Sequence, residues 1–154
     1  MTYPNECAYP TTYSAVRSQV AFHLATNSIY TRVITIPFPS PKEVLDLDEQ
    51  KIIPWLQSLP SWYSETAIVP PQYALGHAIM MWRYRNLRLI MYRPFVIRHS
   101  LRSRANASSF IMPADEQEAY KRCLNEASIS INMIESFWLA NPQLHTRLCA
   151  WYSL

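Results

Sequence analysis

Glycine is all but missing: the chain of 154 residues contains one, Gly76. Phosphate loops and the tight turns of dinucleotide-binding sheets and β-sandwiches need backbone conformations that glycine adopts most readily, so the composition argues against both classes. Cysteine is sparse and dispersed. Cys7, Cys123 and Cys149 lie far apart and odd in number, with no CxxC or Cys/His spacing suited to zinc, and they read as buried, reduced thiols. No apolar run approaches the roughly 20 residues of a membrane span. The opening MTYPNECAYP also lacks the basic-then-apolar order of a signal peptide. The expectation is a soluble intracellular protein with no membrane partner. Neither sign of charge dominates: fourteen basic and eleven acidic residues leave a net charge of +3, short of the concentrated excess of a nucleic-acid-binding face.

What is present is material for a core. The chain is 49% hydrophobic and 13% aromatic, with five Trp and ten Tyr, which is enough for one domain and unlike a disordered chain. Twelve prolines cluster between apolar segments, where they punctuate helices.

Residues 1–12 read as an irregular lead-in and 13–154 as a helical unit. From Tyr13, the positions Val16, Val20, His23, Asn27, Tyr30 and Ile34 recur at steps of four and three, which places them on one side of a helix and predicts its core-facing seam. Ser40-Pro41-Lys42-Glu43 reads as a capping box with Pro at the first helical position. Ile52, Trp55, Leu56 and Leu59 follow at helical spacing, with Pro54 marking a new start. Pro70-Pro71 opens the longest helix, from Gln72 to about His99. It carries two apolar stripes, one through Leu75, Ile79, Trp82 and Leu89, the other through Met80, Tyr84, Leu87 and Met91. A helix packed on two sides is central, and Pro94 is expected to kink or end it. Residues 100–112 read as a Ser- and Arg-rich loop. A further helix begins near Pro113 with acids in its first turn and a stripe through Tyr120, Cys123, Leu124, Ala127, Ile131, Ile134 and Trp138. Asn141-Pro142 reads as the N-cap of a last helix, still apolar at Trp151, Tyr152 and Leu154 where the chain stops; that suggests a truncated chain. The expected fold is all-α, an irregular bundle of about five to six helices.

Chemistry is harder to find. No GxSxG elbow, HExxH, Walker loop or kinase signature occurs, so no catalytic or metal-binding residue is assigned and the chain is read as a non-enzyme. Arg83, Arg85, Arg88 and Arg93 scatter round their helix instead of sharing a face that could track phosphates; internal ion pairs and packed stems suit them better. His23 and Asn27, one turn apart, are a candidate ligand pair or a hydrogen-bonded pair within a core. The aromatics are core in the first instance, and in the second a pocket whose candidate residues are His23, Asn27, Trp55, Trp82 and Tyr92.

The segment Tyr84-Arg85-Asn86-Leu87-Arg88-Leu89-Ile90-Met91-Tyr92-Arg93-Pro94-Phe95-Val96 is distinctive. It resembles the most recognisable stretch of the fungal-specific transcription factor domain, the middle homology region of zinc-cluster activators of the galactose-regulator type. His77, Tyr84 and Arg93-Pro94-Phe95 match the family's pattern of His, Tyr and a helix ending in Arg-Pro-Phe. Phe22 to Tyr30, Ile52 to Pro60 and Cys123 to Ala127 are similar to its neighbouring helices in the same order. The resemblance implies an all-α fragment of a larger regulatory domain in a nuclear homodimer that controls RNA polymerase II transcription. It implies protein partners in the rest of the factor and its coregulators, and a small-molecule effector. DNA contact and zinc belong to a six-cysteine cluster that three dispersed cysteines cannot supply, so no cofactor is expected in this chain. The competing reading is a stand-alone helical domain that binds a small molecule.

Overall fold

A computed structural model describes residues 10–104 and 111–145, and all regular structure within them is helical: α1 (Thr12–Val33), α2 (Pro41–Leu47), α3 (Ile53–Ser58), α4 (Pro71–Arg104) and α5 (Ala114–Ala140), with short 3-10 turns at Ser61–Tyr63 and Pro142–Leu144. A π-helical turn, Asp48–Ile52, joins α2 to α3 without a break. The all-α expectation therefore holds, but the described residues form four helical rods, fewer than the five to six expected.

The reason lies in the prolines. Pro54 falls in the first turn of α3, as expected, but it does not open a separate rod, because α3 continues directly from the π turn. Its ring would collide with the carbonyl one turn back in a regular α-helix, and the wider π turn, closed by the Ile53 N–H donating to the Asp48 carbonyl, accommodates it. Pro94 does not end α4 either. The helix runs through it and on to Arg104, so residues 100–104, read as loop, are helical. The last helix expected from Gln143 is described only as far as His145, where Pro142–Leu144 is a 3-10 turn; Cys7, Cys149 and the apolar residues beyond His145 lie outside the described residues.

Local signals explain the ends. Thr11 caps α1: its hydroxyl accepts from the Ser14 N–H at 3.1 Å and its own N–H donates to the Ser14 hydroxyl at 3.2 Å. Ser40 caps α2 as expected, accepting from the Glu43 N–H at 3.2 Å. The Glu43 carboxylate, expected to reach back to Ser40, is gripped at two points by Arg32, at 2.5 and 3.0 Å. That contact holds its pKa below the ordinary carboxylate value. Asp115 and Glu116 occupy the first turn of α5. Asn141 does not cap the 3-10 turn with its side chain; its amide donates instead to the Phe137 carbonyl at 2.8 Å, finishing α5.

Helix α4 is the axle. On one side Met80, Tyr84, Leu87, Met91 and Phe95 are buried in a core shared with Phe22 and Ile29 of α1, Val44, Leu45 and Ile52 of the second rod, and Ala119 and Cys123 of α5. On another side Ala78 and Trp82 form a second, smaller core with Met133, Ile134 and Phe137. Arg102 with Glu116, Arg88 with Glu126, and Trp82 with Phe137 pair in opposite chain directions, so α4 and α5 are an antiparallel hairpin. Of the predicted α5 stripe, Cys123 is buried and Ala127 and Ile134 half-buried, whereas Leu124, Ile131 and Trp138 are exposed.

The predicted seam of α1 faces the wrong way. Its buried residues are Ser14, Ala15, Ser18, Phe22, Thr26, Ile29 and Val33, and the row from Val16 to Ile34 lies on the surface. The inward face is partly hydroxylic, and each buried hydroxyl is satisfied within the helix. Ser18 donates to the Ser14 carbonyl at 3.0 Å and Thr26 to the Phe22 carbonyl at 2.8 Å. Such back-bonding lets Ser and Thr enter a core without an unpaired group, which disguises that face in the sequence.

Candidate functional site

The π turn delivers Asp48 to the interface of α2, α4 and α5, where its side chain is 0% exposed. Arg88 donates to it from Nε at 2.9 Å and from Nη2 at 2.6 Å. The Tyr92 hydroxyl donates at 2.6 Å and Arg122 Nη1 at 3.2 Å. From the same guanidinium, Arg88 Nη1 reaches Glu126 at 2.5 Å. Arg85 Nη1 takes the other Glu126 oxygen at 2.5 Å, and Arg85 Nη2 pairs with Glu65. Arg122 extends the network outward to Glu118 at 2.8 Å and Glu49 at 3.2 Å. A third buried acid, Glu116, is met by Arg102 at 3.0 Å.

This cluster is a structural lock. Burial disfavours charge at Arg88, but Asp48 and Glu126 more than offset it and its pKa stays above the ordinary value. Tyr92 is pushed well up, by burial first and by the Asp48 charge second, and Tyr84 by burial and then Glu126; both remain protonated phenols. Asp48, the deepest acid, is enclosed and held by Arg88, Tyr92 and Arg122, which leaves it out of contact with solvent. No group of three metal-ligating side chains occurs among the described residues.

The residues singled out from the sequence do not converge. His77, Tyr84 and Phe95 lie along one helix, with the ends of the set about 27 Å apart at 1.5 Å per residue, and each pins a different neighbour. His77 Nε2 lies 3.0 Å from the Ser64 carbonyl, with its ring edge-on to Tyr63. Tyr84 is buried against Trp55, and Phe95 packs edge-on against Phe38 at 6.0 Å. Arg93 is exposed and Pro94 half-buried. Neither Arg93 nor Arg98 donates to a backbone carbonyl among the described residues; Arg98 lies over the Phe95 ring, 5.5 Å from its centre.

The five candidate pocket residues separate as well. Trp55 and Tyr92 are core, Trp55 donating to the Ser18 carbonyl at 3.2 Å. Asn27 and His23 are exposed on α1, so the hydrogen-bonded core pair is not formed. His23 edges a small cavity of about 220 Å³ between α1 and α4, beside Gln19, Gly76 and Arg83. Trp82 lines a larger groove of about 570 Å³ between α4 and α5. Sequence reading missed Asp48, Glu116 and Glu126, although a signal was there: Val44, Asp48 and Ile52 follow one another at steps of four, and Ala119, Cys123 and Glu126 at four and three. A charge on an otherwise apolar row marks a buried partner.

His77 gives the fold a pH dependence. Burial is the main influence and depresses its pKa below 6.5, against the opposing contact with the Ser64 carbonyl. The unfolded chain therefore binds a proton more readily than the folded one, and stability present above about pH 6.5 falls as the pH drops. His77→Gln is expected to shrink the difference between urea midpoints measured at pH 7 and pH 5.5; an unchanged difference would remove His77 from this role.

No helix among the described residues is long and apolar enough to cross a membrane. No protein-family model, curated protein or solved structure matches the chain.

Proposed function

We propose that this chain is the regulatory and interaction region of a fungal zinc-cluster transcription factor, a module that binds proteins and performs no chemistry itself. On this reading it works in the nucleus, DNA and zinc are handled by a six-cysteine cluster this chain does not contain, and the partners are coregulators, the rest of the factor and a second copy of the chain. The ordered resemblance of four segments and the helical fold support it.

One observation carries the interaction role. The surface row of α1 is a heptad seam: Tyr13, Val20, Asn27 and Ile34 stand seven apart, with Val16, His23 and Tyr30 between them. It is open to water, Tyr13 at 63%, Val16 at 50%, Val20 at 51% and Ile34 at 77% exposure, with Leu24 beside it at 75%. A seam of this kind is the pattern of a two-stranded coiled coil, in which β-branched residues at one position and a single Asn at the same position favour a paired, in-register dimer. Apolar surface arranged in a continuous row is a contact surface more often than an accident. No acid lies anywhere on α1, so like charges of that sign do not oppose the pairing.

The chain is therefore expected to sediment as a concentration-dependent dimer. Val20→Glu, which places a charge in the seam, should raise the dissociation constant by about tenfold or more while leaving the helical circular dichroism unchanged. Fused to a DNA-binding domain that lacks its own dimerisation element, the chain should drive a reporter through a palindromic site, and Val20→Glu should abolish that. A monomer at every concentration, with a fusion indifferent to the substitution, would defeat the reading.

A further inference from the structure

We propose that the groove between α4 and α5 is a binding site for a neutral, largely apolar small molecule that presents one hydrogen-bond acceptor. The groove is a product of small side chains on facing helices: Ala74 and Ala78 on α4, and Ser136 and Ala140 on α5, one turn apart in each case, with the segment at Ala67 and Val69 as a third wall. Larger residues at those positions would fill the space between the helices. Its volume of about 570 Å³ falls in the range of small-molecule sites, which are concave, mostly apolar and furnished with few polar groups.

Two further observations give the ligand its chemistry. Among the described residues that line the groove there is no Asp, Glu, Lys or Arg, and at His77, on one wall, burial disfavours the charged form. A charged ligand would lose its hydration there and gain no counter-ion, whereas a neutral one loses little. At the base stands Trp82, 6% exposed, with its ring edge-on to Phe137 at 5.4 Å. Its indole Nε1 is buried and has no acceptor among the described residues. Indole nitrogens buried in proteins ordinarily find a partner, and a carbonyl or ether oxygen on the ligand would supply one. The groove lies on the α5 side of α4, apart from the α1 seam, so its occupancy and the self-association of α1 are separately measurable.

Nile red, neutral and apolar with a carbonyl oxygen, is a suitable probe for the whole chain. Its emission is expected to rise, shift to the blue and saturate at one molecule per chain. Ser136→Trp and Ala140→Trp, both at exposed positions on the groove wall, should each weaken binding by about tenfold or more with helical content and melting temperature intact. Trp82→Phe, which keeps a ring and removes the donor, should weaken it by about two- to tenfold. Val20→Glu on α1 should leave the affinity unchanged. Emission that never saturates, or affinity that survives both wall substitutions, would overturn the site; affinity unaltered in Trp82→Phe would overturn the acceptor. Were the wall substitutions to change the oligomeric state and not the binding of Nile red, the groove would be a contact between chains and the proposal would fall.

Discussion

Asp48→Ala is expected to destabilise the fold by about 3–5 kcal/mol, because it removes one partner of a buried ion pair and leaves the positive charge there under-compensated. Arg88 keeps only Glu126, Arg122 loses its inner partner, and the Tyr92 hydroxyl is left without an acceptor. For a domain with a total stability of about 5–15 kcal/mol, a loss of this size lowers the thermal midpoint by about 6–20 °C at two to four degrees per kcal/mol. Urea denaturation followed by circular dichroism measures it directly. The mechanism makes a second demand: Asp48→Leu combined with Arg88→Met removes both members of the central pair and should cost much less than Asp48→Ala alone, since exchanging a buried pair for apolar groups is often close to neutral. Equal losses in the two variants would show that packing, and not stranded charge, controls the site.

Phe95→Ala should cost about 3–5 kcal/mol by leaving a cavity that α4 cannot collapse to fill. The ring is 0% exposed, edge-on to Phe38 and beneath the Arg98 guanidinium. Its neighbour Arg93 is exposed, and Arg93→Ala should stay within about 0.5 kcal/mol of the parent. The two substitutions divide the Arg-Pro-Phe element: the phenyl ring anchors the helix, and the guanidinium is free to serve a surface. A Phe95→Ala chain that unfolds within about 0.5 kcal/mol of the parent would take the anchor away.

Both predictions concern α4, and α4 is where sequence and structure agree best. Its stripe of Met80, Tyr84, Leu87 and Met91 is wholly apolar or aromatic, so periodicity identified the buried face correctly. The arginines between the stripes were read as internal ion pairs on the ground that they scatter, and Arg85 and Arg88 do turn inward. Agreement fails where the buried face is polar. On α1 the inward row contains Ser14, Ser18 and Thr26, hidden by hydrogen bonds to their own helix, and the more apolar row lies outside. Hydrophobic period reports which side of a helix would be buried by something; it does not say whether the cover is this chain or another molecule.

The candidate site followed the same division. Trp82 was picked out as a pocket aromatic and lines the groove, but the groove itself is made by alanines and a serine, residues that carry no signal of their own and matter only through what faces them. Asp48 and Glu126 interrupt apolar rows, a visible sign, yet their partners sit some 40 positions away along the chain, and that separation closes only when the helices pack.

By itself, then, the sequence settled the helical class, most of the helix starts and the two-sided burial of α4, because caps, proline placement and a 3.6-residue apolar period act within a few turns of chain. Which face of α1 turns inward, the passage of the helices through Pro54 and Pro94, the joining of Asp48 to Arg88 and Glu126, and the opening between α4 and α5 were decided by tertiary packing. Each of these depends on residues far apart in sequence competing for the same interior volume, where steric fit and the pairing of buried charge outweigh local preference.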